Sequence, residues 1–367
     1  MAETAAHLVD HVFPPLPVRQ WVLSVPKRLR WYLQREPKAV SAVLHILLRV
    51  IEAHLRQSSP GASARARLGA VSFVHRFGSS LNRHTHYHCC ILGGVFEPRN
   101  DGSIRFLPAA APTPQEITAI AEQVRRRVLR WFARSGLLDA DDARDMLGWD
   151  NGGFSLDASV CIAGEDRAGL ERLLRYCARP PFALERLEQV NAHQIVYHLP
   201  RPRRDGCTAL SLTPLELIDH LAALIPPPRL HRHRYHGVLA PSSPLRAAAT
   251  AYGREHAVSA EAPTSGQETG SRASARYLWA MLLARLFACL PLTCPRCGAH
   301  MRIVAFITEA APVERILTHI GEPAQPPPIA PARGPPACAD GLADAIPDWD
   351  ALAQPEPEYL LDQQVQW

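Results

Sequence analysis

The chain has 367 residues, 47% of them hydrophobic and 20% charged, enough for one large domain or two modest ones, which excludes a peptide or a disulfide-stapled miniature. Forty Lys and Arg against 35 Asp and Glu leave a net charge of +5, but residues 336–367 hold seven acids and no Lys or Arg, so the remainder carries +12. The nine cysteines are odd in number and scattered, unlike a secreted disulfide framework, and the longest apolar run (42–51) is far short of the roughly 20 residues of a membrane span. Residues 1–15 lack a charged segment followed by an apolar one, so the expected compartment is the cytoplasm. Nearly all the bases are arginine, the side chain suited to bidentate phosphate contact, although a GC-rich coding bias gives the same composition.

Taken in chain order, residues 18–25 (VRQWVLSV) predict a strand, and 38–55 a helix whose apolar positions recur at Val43, Ile46, Leu47, Val50 and Ile51. A hairpin follows, with strands over 70–77 and 84–96 joined by a turn at 78–82. Thr113, Pro114 and Glu116 open a helix that runs to Gly136. Its apolar face is Ile117, Ile120, Val124, Val128 and Trp131, leaving Arg125, Arg126, Arg130 and Arg134 largely outside. Residues 154–162 alternate as a strand, and 166–178 form a helix ended by Pro180-Pro181. Two short strands (194–199 and 208–212) precede a helix from Thr213-Pro214 to Ile225.

Residues 257–274 have the Ala, Ser, Thr, Gly and Glu content of a linker. An amphipathic helix (277–290), a CxxC and a short βα-like segment to Ile320 come next. The Pro-rich and acidic stretch beyond lacks periodic apolar residues, which predicts disorder. The organisation is therefore an α+β domain over 1–250, a linker over 251–275, a helix and CxxC subdomain over 276–321, and a disordered tail over 322–367.

The informative element is His84-Thr85-His86-Tyr87-His88. Side chains alternate along a strand, so His84, His86 and His88 share one face. Three imidazoles on one face make a ready divalent-metal site, whereas a bland reading makes them the wet face of an edge strand. A second cluster, residues 231–236 (HRHRYH), mixes cations with imidazoles. That favours a solvated or phosphate-contacting basic loop, with Arg232 and Arg234, over a metal cage.

In the helix near Arg167, the residues Leu170, Leu173, Leu174 and Cys177 form an apolar stripe. Tyr176 lies about 110° from its centre, sharing its face with Arg172 and Arg179. A phenol with an ordinary pKa near 10 needs nearby positive charge or a base to act as a nucleophile. The flanking arginines supply charge and would hold a phosphate, but on spacing alone an amphipathic boundary residue is the better reading of Tyr176.

Four ordered blocks carry a resemblance: Phe77-Gly-Ser-Ser-Leu-Asn-Arg-His-Thr-His-Tyr-His-Cys89, Gly152-Gly-Phe-Ser155, Leu174-Arg-Tyr-Cys-Ala-Arg-Pro-Pro181 and Arg234-Tyr-His-Gly-Val238. Together they resemble the HUH transposases of rolling-circle insertion sequences, the two-tyrosine insertion-sequence ninety-one group and its single-tyrosine common-region relatives. The resemblance spans nearly the whole chain and implies an HUH-like antiparallel sheet with helices packed on it. It also implies an enzyme that nicks and joins single-stranded DNA at insertion-sequence ends, with a divalent metal, Mg²⁺ or Mn²⁺. In that signature His86 and His88 are metal ligands and Tyr176 is the nucleophile that forms a 5′-phosphotyrosine. His84 is a candidate third ligand from strand geometry, and Asp157 is another.

Two departures stand out. Where two-tyrosine members carry a second tyrosine, this chain has Arg172, which places it with the single-tyrosine type. Members also begin with a cysteine-rich zinc-binding segment, whereas this sequence starts at Met1-Ala-Glu-Thr, so an N-terminal truncation is expected. Cys294-Pro-Arg-Cys297 resembles half a zinc ribbon, with His300, Cys289 or His319 as candidates to complete a Zn²⁺ site and a plain turn as the alternative. The competing functional readings are a plasmid relaxase or replication initiator with the same chemistry, and a catalytically silent remnant that binds single-stranded DNA.

Overall fold

The computed structural model describes residues 2–254, apart from 79, 150–152, 181–185, 200–201, 203–205, 226–230 and 232, and beyond them residues 294, 297–299, 301, 307, 309–321 and 323. In chain order the elements are α1 (Ala2–His7), which runs into a π-helical turn (Leu8–Val12), β1 (Val18–Ser24), α2 (Lys27–Arg35) and α3 (Pro37–Ser58). The hairpin β2 (Gly69–Phe77) and β3 (Arg83–Leu92) follows, then β4 (Gly94–Pro98), β5 (Ile104–Pro108), α4 (Pro114–Arg134) and α5 (Ala140–Gly148). Next come β6 (Ser155–Asp157), β7 (Cys161–Ile162), α6 (Arg167–Cys177), β8 (Leu187–Asn191), β9 (Gln194–His198) and β10 (Ala209–Leu212). The chain continues with α7 (Pro214–Leu224), β11 (His233–Gly237), α8 (Arg246–Ala251) and α9 (Ala310–Ile320).

The architecture is α+β. An antiparallel sheet has the order β11-β2-β3-β1, with β6 and β7 pairing successive parts of the outer edge of β1. The histidine strand β3 is thus interior, paired on both sides. Alternation divides its side chains between two cores. Tyr87, Cys89 and Ile91 join Trp21, Leu23 and the buried faces of α2, α3 and α4. On the other face, Cys90 and Leu92 join Val71, Phe73, α1, the π-helical turn, α6 and α8. A separate three-stranded sheet, β10-β9-β8, packs with α7 around Phe77, Leu81, Tyr197, Leu217 and Leu224, so it braces the tip of the β2–β3 hairpin.

Local chemistry explains the ends of the helices. The Thr113 hydroxyl accepts from the Glu116 amide at 3.3 Å, and the Glu116 carboxylate accepts from the Thr113 amide at 2.7 Å, a reciprocal capping box at the start of α4. Thr213 and Glu216 repeat the arrangement at α7. Asp166 caps α6, its carboxylate accepting from the Gly169 amide at 2.7 Å.

Several expectations change. The strand expected over 84–96 is broken after Leu92, where the Gly93 amide donates to the Pro17 carbonyl at 2.7 Å and Gly94 opens a separate hairpin. The strand expected over 154–162 divides at Ala158–Val160, because the Asp157 carboxylate accepts from the Ser159 amide at 3.3 Å and turns the chain. The basic loop expected at 231–236 is, from His233, the edge strand β11, paired with β2. Gly237 ends it at φ +60°, where a Cβ would collide with the Leu68 carbonyl. Helices α1, α2 and α5 and strands β5 and β8 carry too few periodic apolar residues to have been anticipated; α2 buries only Leu29, Arg30 and Leu33.

Packing continues past residue 250. Tyr252 meets Phe96 edge to face with ring centroids 5.6 Å apart. Arg254 donates to the carbonyls of Val9 at 3.1 Å, Phe13 at 2.8 Å, and Asp10. The expected linker beyond Arg254, the helix over 277–290 and the tail from 324 lie outside the described residues. Among the described residues, no helix is long and apolar enough to cross a membrane.

Candidate active site

His84, His86 and His88 share a face, as alternation requires, and all three are buried. The sheet register sets their neighbours. His86 lies opposite His75 of β2 and Ser24 of β1, and His88 lies opposite Phe73 and Val22. His75, His86 and His88 each offer one ring nitrogen such that the three atoms lie within 4.8 Å of one another.

Hydrogen bonding fixes which nitrogens remain as donors of a lone pair. His75 Nε2 is 2.6 Å from the Cys177 carbonyl, so that nitrogen carries the proton and Nδ1 the lone pair. His86 Nδ1 is 3.3 Å from the His84 carbonyl, leaving Nε2 as its unprotonated nitrogen. His88 Nδ1 is 2.8 Å from the Gln20 amide, while His88 Nε2 is buried with no hydrogen-bond partner among the described residues. A Gln20 amide rotated to present its oxygen accepts from Nδ1–H and frees Nε2, the orientation a ligating histidine needs. Burial, then the neighbouring imidazoles, hold the His86 and His88 pKa values well below the ordinary histidine range, so both rings are neutral. Three buried imidazoles converging on one point, His86 and His88 of them neutral and His88 with an orphaned nitrogen, fit a divalent cation.

His84, the expected third ligand, is engaged by a neighbouring strand. Its Nε2 is 2.8 Å from Ser24 Oγ, and it is not in the converging trio. Asp157 lies on the strand beyond β1, opposite Val22, and its carboxylate is engaged by the Ser159 amide and hydroxyl. The residue missed is His75. Its signal was present, since the turn at 78–82 folds the hairpin so that His75 pairs with His86.

Tyr176 lies on the same side of the sheet. Leu170, Leu173, Leu174 and Cys177 of α6 pack with Val71, Phe73 and Cys90 of the sheet, and this seats the helix over the histidines. The Tyr176 ring meets His88 edge to face, with centroids 5.8 Å apart and planes at 82°. Spacing placed Tyr176 on the polar side of α6; instead it is only 5% exposed, because α6 lies deep against the sheet. Arg179 covers its ring with the guanidinium 4.4 Å from the centroid. Arg172 is exposed, 3.9 Å from Asp166. The Cys177 sulfur, next to the tyrosine, is 3.4 Å from the same Gln20 amide atom that meets His88, so Gln20 links β1, His88 and α6.

Of the second basic cluster, Arg234 does not face this site. Arg234 lies opposite Ser72, on the other face of the sheet, and donates to Ser41 Oγ at 3.0 Å. Arg232 lies outside the described residues. At the CxxC, the Cys294 amide donates to the Ala299 carbonyl and the Gly298 amide to the Cys294 carbonyl, both at 2.9 Å, forming a tight turn. Cys289 and His300 lie outside the described residues, and among those described no third ligand gathers with Cys294 and Cys297.

Neither the curated proteins nor the solved structures yield a match. Residues 69–246, which include β2, β3, α6 and β11 and so His75, His86, His88 and Tyr176, match the family described as "Putative transposase". That segment is therefore similar to a transposase family.

Proposed function

We propose that the chain nicks and rejoins single-stranded DNA at insertion-sequence ends, in rolling-circle-type transposition, through a 5′-phosphotyrosine formed on Tyr176. The observation that carries this reading is Tyr176 packed on His88, itself part of the His75, His86 and His88 convergence, inside the segment matched to transposases. The three imidazoles would hold a divalent cation, Mg²⁺ or Mn²⁺. When bound, such a cation would polarise a phosphate oxygen and offset the charge that develops there.

The chain's own residues supply the rest. Tyr176 Oη bonds to phosphorus as the bond from phosphorus to the 3′ oxygen breaks. The phenol proton leaves, and the displaced 3′ oxygen takes one up, so one phosphodiester replaces another. Reversal by a different 3′-hydroxyl joins strands. Arg179, stacked on the Tyr176 ring, can hold a flanking phosphate. Low local polarity and mutual repulsion keep His86 and His88 neutral, as ligands must be.

The test is to incubate the full chain with 3′-labelled single-stranded oligonucleotides and Mn²⁺ and to look for label that migrates with denatured protein. The expected result is a covalent adduct that chelator removes and Mn²⁺ restores. DNA binding without any adduct would instead support the silent remnant.

A further inference from the structure

Helix α4 lies on α3, on the face of the sheet opposite the histidines, and its arginines divide into two groups. Arg125 is bound to Glu122 at 2.8 Å and to the Trp149 carbonyl at 2.9 Å, and Arg126 is bound to Glu122 at 2.6 Å. Arg127, Arg130 and Arg134 are exposed, with no ion pair or hydrogen bond among the described residues. At positions i, i+3 and i+7 they form one stripe about 10 Å long on a helix of about 30 Å. The two acids of this helix are both occupied, Glu116 in the capping box and Glu122 between Arg125 and Arg126.

We propose that the Arg127, Arg130 and Arg134 stripe is a second DNA-contacting surface, one that takes the phosphate backbone of duplex DNA while the opposite face of the sheet handles the reacting strand. This rests on the DNA partner that the transposase match implies, and not on the chemistry proposed for Tyr176.

The chemistry of the stripe favours a duplex. Three guanidiniums aligned on a straight, rigid helix match the regular charge of a stiff double helix, whose phosphates recur every 3.4 Å or so of axis along each strand. Trp131, the aromatic side chain beside the stripe, is partly buried and packed against the core and edge to face on Phe132, whereas surfaces for single strands present exposed rings on which bases stack. Phosphate contact without base contact gives affinity without sequence preference. Three unpaired cations on one helix face repel one another, which a polyanion would relieve.

The test measures anisotropy of a labelled duplex of about 30 base pairs, and of one of its strands alone, across a range of salt concentrations. The full chain is compared with the triple variant Arg127→Gln, Arg130→Gln, Arg134→Gln. We expect the slope of log affinity against log salt for duplex to fall by about 2 to 3 in the variant, with at least a ~10-fold loss of affinity near 0.1 M salt. The slope for the single strand should not change, and the triple Arg→Lys variant should keep the duplex slope. An unchanged duplex slope, or an equal loss for the single strand, overturns the proposal. Adduct formation on a short single strand is read separately, so failure of the phosphotyrosine chemistry and failure of the stripe are distinguishable.

Discussion

The rings of His88 and Tyr176 meet edge to face with centroids 5.8 Å apart, one from the interior strand β3 and the other from helix α6. The apolar stripe of α6 holds them together by packing on Phe73, Val71 and Cys90. The proposed nucleophile and the converging imidazoles therefore share one side of the sheet.

Replacing Tyr176 with Phe should reduce the covalent adduct by at least ~100-fold while leaving single-strand affinity within about 3-fold, since it removes the hydroxyl proposed to attack. The ring and its contacts with His88 and Arg179 remain, so the fold is preserved. Denaturing gels of 3′-labelled substrate report the first quantity and anisotropy the second. An adduct that survives the substitution would reassign the nucleophile.

His75 and His84 separate cleanly by mutation. His75→Ala should weaken Mn²⁺ binding, followed by calorimetry, by at least ~10-fold, because it removes one of three converging nitrogens. His84→Ala should change it by less than about 3-fold and cost about 1 kcal/mol of stability through the unpaired Ser24 hydroxyl. The reverse ranking would return the third-ligand role to His84.

Burial, then the nearby His45 and Arg234, lower the His236 pKa to about 4. The unfolded chain has an ordinary histidine there, near 6.5, so between those values the unfolded state binds more protons and stability falls as pH falls. Above pH 6.5 the full stability is present; below about 4 no further loss arises from this group. His86 and His88 act in the same direction. Urea midpoints at pH 7 and pH 4.5 should therefore converge in part on His236→Gln, by about 1 to 3 kcal/mol. An identical pH dependence in the variant would show that His236 is not the titrating group.

Arg167 and Arg254 share the carbonyls of Val9 and Phe13, tying the first residue of α6 and the end of the described core to the π-helical turn. Arg254→Ala strips these donors and should cost about 1 to 3 kcal/mol in urea denaturation. A chain ended at residue 250 should be destabilised further, since it also loses the Tyr252 contact with Phe96. A midpoint unmoved by either change would place the edge of the core before Tyr252.

The amino-acid sequence by itself determined the elements whose signals are local. Periodicity marked α3, α4 and α6, capping residues marked where α4 and α7 begin, and alternation put His84, His86 and His88 on one face. Those properties depend on residues a few positions apart, and so they are visible without a fold. The burial of Tyr176 was not visible, because an ideal helical wheel says which residues flank one another but not how deeply the helix is pressed into the sheet.

Only the tertiary structure decided which histidines converge. His84 and His86 are neighbours in sequence, yet the nitrogens that gather belong to His75, His86 and His88, because strand pairing sets His75 beside His86 while Ser24 engages His84. It also turned Arg234 to the far face of the sheet and fixed Arg179 on the tyrosine. Strand register and helix seating are long-range quantities, set by the packing of two cores on one sheet, and no local pattern of residues encodes them.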